Sequence, residues 1–248
     1  MDYYNEFDPF AAKWLMNLAA AGKIPAGRVD DRSIKEVTGA DLAGYRQCHF
    51  FAGCGGWPLA LRIAGWPEES EIWTGSCPCQ PFSSTGKRRG VNDDRHLAPV
   101  FLRLISERRP ATVFGEQVGL AAGKEWLSDL RAGLEAVGYE VGAADLCSAG
   151  VGAIDIRQRL YWVAHAKDKP RPQANTASVP VGTAGGAPML DSRLRWTAMA
   201  APNWELPASW VVGSIDGVPE RVVATRAFGN AINPWIAAEF VRAYLEAV

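Results

Sequence analysis

Short apolar runs alternate with amphipathic stretches along the first two thirds of the 248 residues. Residues 9–21 (PFAAKWLMNLAAA) predict a helix, with Pro9 suited to its first turn and Gly22 to its stop. HFFAG at 49–53 predicts a buried strand that runs into glycines, followed by a helix over WPLALRIAG, 57–65. EIWTGS (71–76) and ATVFGEQV (111–118) predict two more strands, with a helix near 98–108 between them. A helix at 124–137, a strand near 139–145 and a strand at RLYWVAHA (159–166) complete the pattern. Such alternation predicts an α/β fold, a mostly parallel sheet covered by helices on both faces. The texture then changes, because seven of the sixteen prolines fall within 167–219 and no long period of either kind persists. The chain therefore divides into a domain at 1–166, a small irregular insert at 167–226, and a returning segment at 227–248 whose NPWIAAEFVRAYLEAV is helical.

Composition narrows the picture only a little. Hydrophobic residues make up 48% and charged residues 21%, which fits a globular chain and excludes wholesale disorder. The formal net charge is −1, so a polyanionic partner would have to be met by a local basic face. No apolar run reaches the roughly 18 residues of a membrane span, and MDYYNEFD at the start is unlike a secretory signal. Five cysteines in this length argue against a disulfide framework and for a reducing cytoplasm.

Three segments carry chemistry. FAGCGGW (51–57) puts Gly53, Gly55 and Gly56 at a strand-to-helix turn, where backbone can approach a ligand or simply pack strand on helix. Phe51 and Trp57 there suit either a cationic ligand or the core. GSCPCQPFSSTGKRRG (75–90) sets Cys79 at the carboxyl end of a predicted strand, where open α/β sheets bind ligands. Cys77 and Cys79 are too close for an ordinary zinc pair, and no metal is expected. The following stretch, 81–97, holds Lys87, Arg88, Arg89 and Arg95 against Asp93 and Asp94, net +2, and reads as a glycine-hinged basic lid or a solvated loop. Glu116 ends the next strand on the same edge, and Arg157 and Arg159, two apart, share one face of a further strand.

The ordered set FAGCGGW, PCQPFSSTGKRRG, GEQV, RQRLYWV and FGNAINP resembles the DNA cytosine-5 methyltransferases in nearly the whole chain except 167–215. Gln117 stands where that family carries asparagine after the glutamate. The resemblance implies a Rossmann-like, S-adenosylmethionine-dependent methyltransferase. Cys79 would attack the base, Glu116 would hold its N3, and Arg157 and Arg159 its O2. Phe51, Ala52, Gly53, Gly55, Gly56, Trp57, Pro78, Asn230 and Ala231 would line the cofactor. Gln80, Ser83, Thr85, Lys87, Arg88, Arg89, Arg193 and Arg195 would meet double-stranded DNA. A monomer that forms S-adenosylhomocysteine, with no metal and no membrane association, is the expectation. The insert, also net +2 and short for the family, implies a short recognition sequence.

The family's second and third motifs do not fit between Phe51 and Pro78, only 27 positions apart. They look displaced upstream: YYNEFDPFAA (3–12), with Glu6 on the cofactor ribose and Phe7 beside it, and VDDRSIKEV (29–37), with Asp31 or alternatively Asp30 on the adenine amine. A circular permutation of the first three strands follows, with the family's sheet order 3-2-1-4-5-7-6 retained. Three rival readings stand beside this one: an RNA methyltransferase, a binding protein without activity, and a pyrimidine-modifying enzyme with another donor. The RNA branch's Cys-Phe-Thr is not in the sequence, and a pure binding role would need none of Cys79, Glu116, Arg157 and Arg159.

Overall fold

The computed structural model describes residues 1–78, 97–119, 121–153, 157–172 and 231–247. Among them a seven-stranded sheet forms from β1 (Asp2–Asn5), β2 (Gly27–Asp30), β3 (Gln47–Phe50), β4 (Ile72–Gly75), β5 (Thr112–Val118), β6 (Tyr139–Cys147) and β7 (Gln158–Ala166), in the order β2-β1-β3-β4-β5-β7-β6. The five strands from β2 to β5 are parallel, and β7 runs antiparallel between β5 and β6. The mostly parallel sheet read from the alternation is therefore present. β1, β3 and β4 are buried along their whole length, and the polar side chains of Asp2, Asn5, Gln47, His49 and Thr74 are buried with them.

Helices cover both faces. On one lie α1 (Pro9–Ala20), α2 (Gly56–Ala64) and α5 (Pro234–Glu246), packing on Tyr4, Ile72, Phe114 and Tyr161. On the other lie α3 (Ala98–Arg108) and α4 (Ala121–Ala136), against Phe50, Trp73, Val113 and Trp162. The β2-to-β3 crossover needs no α-helix: a short 3-10 turn at Ile34–Glu36 leads into turns that bury Ile34, Val37 and Leu42 beside α3. The Asp8 carboxylate caps α1 by accepting from the Phe10 and Ala11 amides, and the Asn233 side chain caps α5 in the same way. Left-handed glycines bracket α2 at Gly55 and Gly65. Among the described residues, no helix is long and apolar enough to cross a membrane.

Two features place the functional edge. β3 stops at Phe50 rather than running to residue 53, because Phe51 takes a positive φ of 53° and turns the chain into the glycines. α4 then sits hard against the end of β5, where a Cβ on Gly123 would lie 1.9 Å from the Val118 carbonyl oxygen. The carboxyl ends of β1, β2, β3, β4 and β5 thus share one edge with the start of β7.

Candidate active site at the carboxyl edge of the sheet

Glu116 lies near the end of β5, opposite Tyr161 of β7, and is 7% exposed. Arg159, opposite Val118, lies on the same face and brings its Nε to 2.8 Å from Glu116 Oε1. The contact is an ion pair and not an aligned hydrogen bond, since Oε1 has no partner with hydrogen-bond geometry. Burial pushes the Glu116 carboxyl up, opposed by the charges of Arg159 and Arg157. The structure thus brings together three of the four expected catalytic groups.

The adjacent Gln117 is 2% exposed and faces the strand exit of β4. Its Nε2 donates to the Cys77 carbonyl at 3.2 Å, and its Oε1 accepts from the Val118 amide. Pro78 follows, exposed, and ends the described segment. Cys79, Gln80, Ser83, Thr85, Lys87, Arg88 and Arg89 lie outside the described residues, as do Arg193, Arg195 and Asn230.

The glycine turn faces the end of β1. Glu6 accepts the Gly53 amide at 2.7 Å and the Asp8 amide at 2.9 Å, joining the upstream segment to the turn directly. Burial raises its carboxyl, and these amides oppose the rise. Phe7 beside it is 71% exposed. Of the two acidic candidates at the end of β2 and just beyond it, Asp30 is buried and already engaged, accepting from Tyr3 Oη at 2.9 Å and Arg32 Nη2 at 2.6 Å. Arg32 accordingly holds its carboxyl below the usual range. Asp31 is exposed at the carboxyl edge.

The three glycines have different duties. A Cβ on Gly53 (φ +53°) would meet only the Phe51 carbonyl oxygen, 3.9 Å away, so this is where a ligand can approach the backbone. On Gly55 it would press on Leu15 and Leu18 of α1, and on Gly56 it would lie 2.6 Å from Ile232, next to Ala231 on the approach to α5. Gly55 and Gly56 therefore serve helix packing at this turn. Ala52 is buried, its amide donating to the Asn5 carbonyl, and Phe51 packs edge-on to Phe101.

Trp57, Lys169 and Arg171 are each engaged within the fold. Trp57 takes the core position of the two the sequence allows: it is 3% exposed, stacked on Phe114 and edge-on to Tyr161, because α2 begins at Gly56 and turns the next side chain inward. Its Nε1 donates to Ser76 Oγ at 3.0 Å, a contact the sequence reading missed and for which local spacing holds no signal. Lys169 and Arg171, counted within the basic insert, are held at the opposite end of the sheet by Glu71 and Glu140.

The model of the C-5 cytosine-specific DNA methylase family matches residues 60–183, half of the chain. Among curated relatives, the type II methyltransferase M.AplI of Arthrospira platensis is 27% identical over 173 residues, 55% of this chain and 50% of that protein. M.HhaI of Haemophilus parahaemolyticus, also a type II methyltransferase, is 26% identical over 172 residues, 54% of this chain and 53% of its own length. The chain spans about half the length of these relatives. The crystal structure of S. pombe Dnmt2 methyltransferase shares the fold at a TM-score of 0.53 and 14% identity, covering 100% of this chain and 99% of that one. On the family match, read with the geometry above, this chain belongs to the C-5 cytosine-specific DNA methylases.

Proposed function

We propose that the chain transfers a methyl group from S-adenosylmethionine to C5 of cytosine in duplex DNA, leaving S-adenosylhomocysteine. The observation that carries this reading is the buried Glu116–Arg159 pair on the edge shared by the Glu6-bound glycine turn and the strand exit leading to Cys79. Cytosine C5 is a poor nucleophile until a group adds to C6. The Cys79 thiolate forms the S–C6 bond, pushing electron density toward C5 and N3. Glu116 donates a hydrogen bond to N3 and stabilises that charge in a site shielded from water. Arg159 and Arg157 hold O2. C5 takes the methyl group, a base then removes the C5 proton, and the S–C6 bond breaks to return the thiolate.

The cofactor supplies an electrophilic methyl group. A ligand fits beside Gly53, where a side chain would meet open space, with Glu6 toward a ribose and Phe7 and Asp31 toward an adenine. A stacked base cannot reach this edge, so the target nucleotide flips out of the duplex. We assign DNA contacts to Gln80, Ser83, Thr85, Lys87, Arg88, Arg89, Arg193 and Arg195, the cofactor's remaining neighbours to Pro78, Asn230 and Ala231, and a short recognition sequence to the insert. The reading includes a monomeric cytoplasmic enzyme that protects phage or bacterial DNA from restriction. It also includes the permutation: with β3 as the family's first strand, β1 as its second and β2 as its third, the observed order reads 3-2-1-4-5-7-6, which supports it.

The test is transfer from radiolabelled S-adenosylmethionine to unmethylated duplex DNA, with digestion to identify the product. Label in 5-methylcytosine that is lost in Cys79→Ala is the expected result. Label in RNA alone, or transfer that survives Cys79→Ala, overturns the reading.

A further inference from the structure

The exit of β4 is held by two side chains from different parts of the site. Ser76 Oγ accepts from Trp57 Nε1 at 3.0 Å, and the Cys77 carbonyl accepts from Gln117 Nε2 at 3.2 Å. Trp57 follows the glycine turn directly, and Gln117 is the neighbour of Glu116. Both donors are buried in rigid surroundings, Trp57 between Phe114 and Tyr161 and Gln117 within β5. Two residues of chain span at most about 7 Å, so fixing Cys77 bounds where the Cys79 thiol can be delivered.

We infer that Trp57 and Gln117 are positioning residues that clamp Ser76 and Cys77, so that the nucleophile's strand exit keeps a fixed place between the methyl donor's turn and the carboxyl that holds the base. The inference rests on the function proposed above. It also gives Trp57 a duty other than lining the cofactor and gives Gln117, which departs from the family's asparagine, a defined contact. Both act through backbone or hydroxyl groups of Ser76 and Cys77. Reaction rates are sensitive to such placement because misalignment of about 1 Å can slow chemistry by up to roughly a hundredfold.

The test compares single-turnover methyl transfer, affinity for S-adenosylhomocysteine and melting temperature in Ser76→Ala, Trp57→Phe, their double variant, Ser76→Thr and Gln117→Met. Loss of one such hydrogen bond should slow the transfer step about 3- to 10-fold. The double variant should be no slower than the slower single, and Ser76→Thr, which keeps the acceptor, should restore the rate. Gln117→Met should slow transfer with cofactor affinity unchanged. Ser76→Ala removes only a half-buried hydroxyl, so it carries the test if Trp57→Phe fails to fold. Wild-type rates in Ser76→Ala and Gln117→Met, or a double variant whose losses multiply, would overturn the clamp while leaving the proposed activity intact. A wild-type protein that transfers no methyl group to DNA would remove both.

Discussion

The β5–β7 ladder carries a polar cluster at each end, and the two are built on opposite terms. At the amino end of β5, Thr112 faces His165, and Tyr244 of α5 closes the group, its hydroxyl 2.9 Å from His165 Nδ1 and 3.2 Å from Thr112 Oγ1. His165 Nε2 meets the Lys169 carbonyl, and Lys169 Nζ donates to Glu71 at 2.9 Å. Buried Thr112, His165 and Tyr244, and the half-buried Lys169 and Glu71 beyond them, each have a partner of matching polarity, the arrangement expected where burial has no task beyond folding. At the carboxyl end, Glu116 is as buried but meets Arg159 as an off-line ion pair, with Oε1 lacking an aligned donor. The same strands thus satisfy polarity at one end and leave it partly open at the other. A buried carboxyl with hydrogen-bonding capacity left over is suited to a substrate that completes it.

The sharpest way to break this contrast is to exchange the chemistry at each end. Glu116→Gln keeps the volume and removes the proton donor. It should slow methyl transfer about 10²- to 10³-fold while the melting temperature stays level or rises, since a buried carboxyl is no longer desolvated. The glycine turn divides the same way. Gly56→Ala drives a methyl into Ile232 and should cost about 2–3 kcal/mol, read by chemical denaturation. Gly53→Ala meets only the Phe51 carbonyl oxygen at ordinary contact distance and should cost roughly 1 kcal/mol of backbone strain, with its main effect on cofactor affinity by titration calorimetry. At the amino end, Tyr244→Phe removes the hydroxyl shared by His165 and Thr112. It should lower stability by about 1–2 kcal/mol, with transfer rates well below the melting temperature unchanged.

The smallest expected effect concerns an exception at the satisfied end. Asp2, at the start of β1, is buried with Oδ2 unpartnered, and burial pushes its carboxyl up from 3.8 to about 6. Between these values the folded chain holds a proton that the unfolded chain has released, so stability falls as pH rises through that window and is level above it. Asp2→Asn should flatten the profile from pH 4 to 6 and leave the fold about 1 kcal/mol more stable at neutral pH. A wild-type stability curve that rises over this range would contradict the assignment.

Much of the scaffold was legible because it depends on local signals. The helix at 98–108 and the strand at 111–118 were bounded to within a residue, since apolar periodicity, Pro99 and the glycines mark them. Glu116 and Arg159 were legible as edge residues because strand alternation fixes their faces, and the family resemblance supplied their roles. What the sequence hid depends on distant neighbours. Gly53, Gly55 and Gly56 read alike in FAGCGGW, and only the positions of α1 and Ile232 separate ligand approach from packing. Trp57 read equally as a ligand-facing or a core aromatic because its partners, Phe114 and Tyr161, come from strands more than fifty residues away. Lys169 and Arg171 read as part of a basic insert because their carboxylates lie on β6 and just before β4. The different surroundings of Asp30 and Asp31 were also hidden, since Tyr3 and Arg32 engage the first while the second is exposed.

If the proposed function holds, the carboxyl edge delivers a thiol to cytosine C6 with Glu116 holding N3. Duplex DNA carrying 5-fluorocytosine is the decisive substrate, because methylated C5 then holds no proton to lose and the enzyme stays bound. The expected product is a complex stable to denaturing electrophoresis that needs S-adenosylmethionine, is absent in Cys79→Ala and forms far more slowly in Glu116→Gln. A complex that persists in Cys79→Ala, or one that forms equally fast without Glu116, would contradict the proposed function.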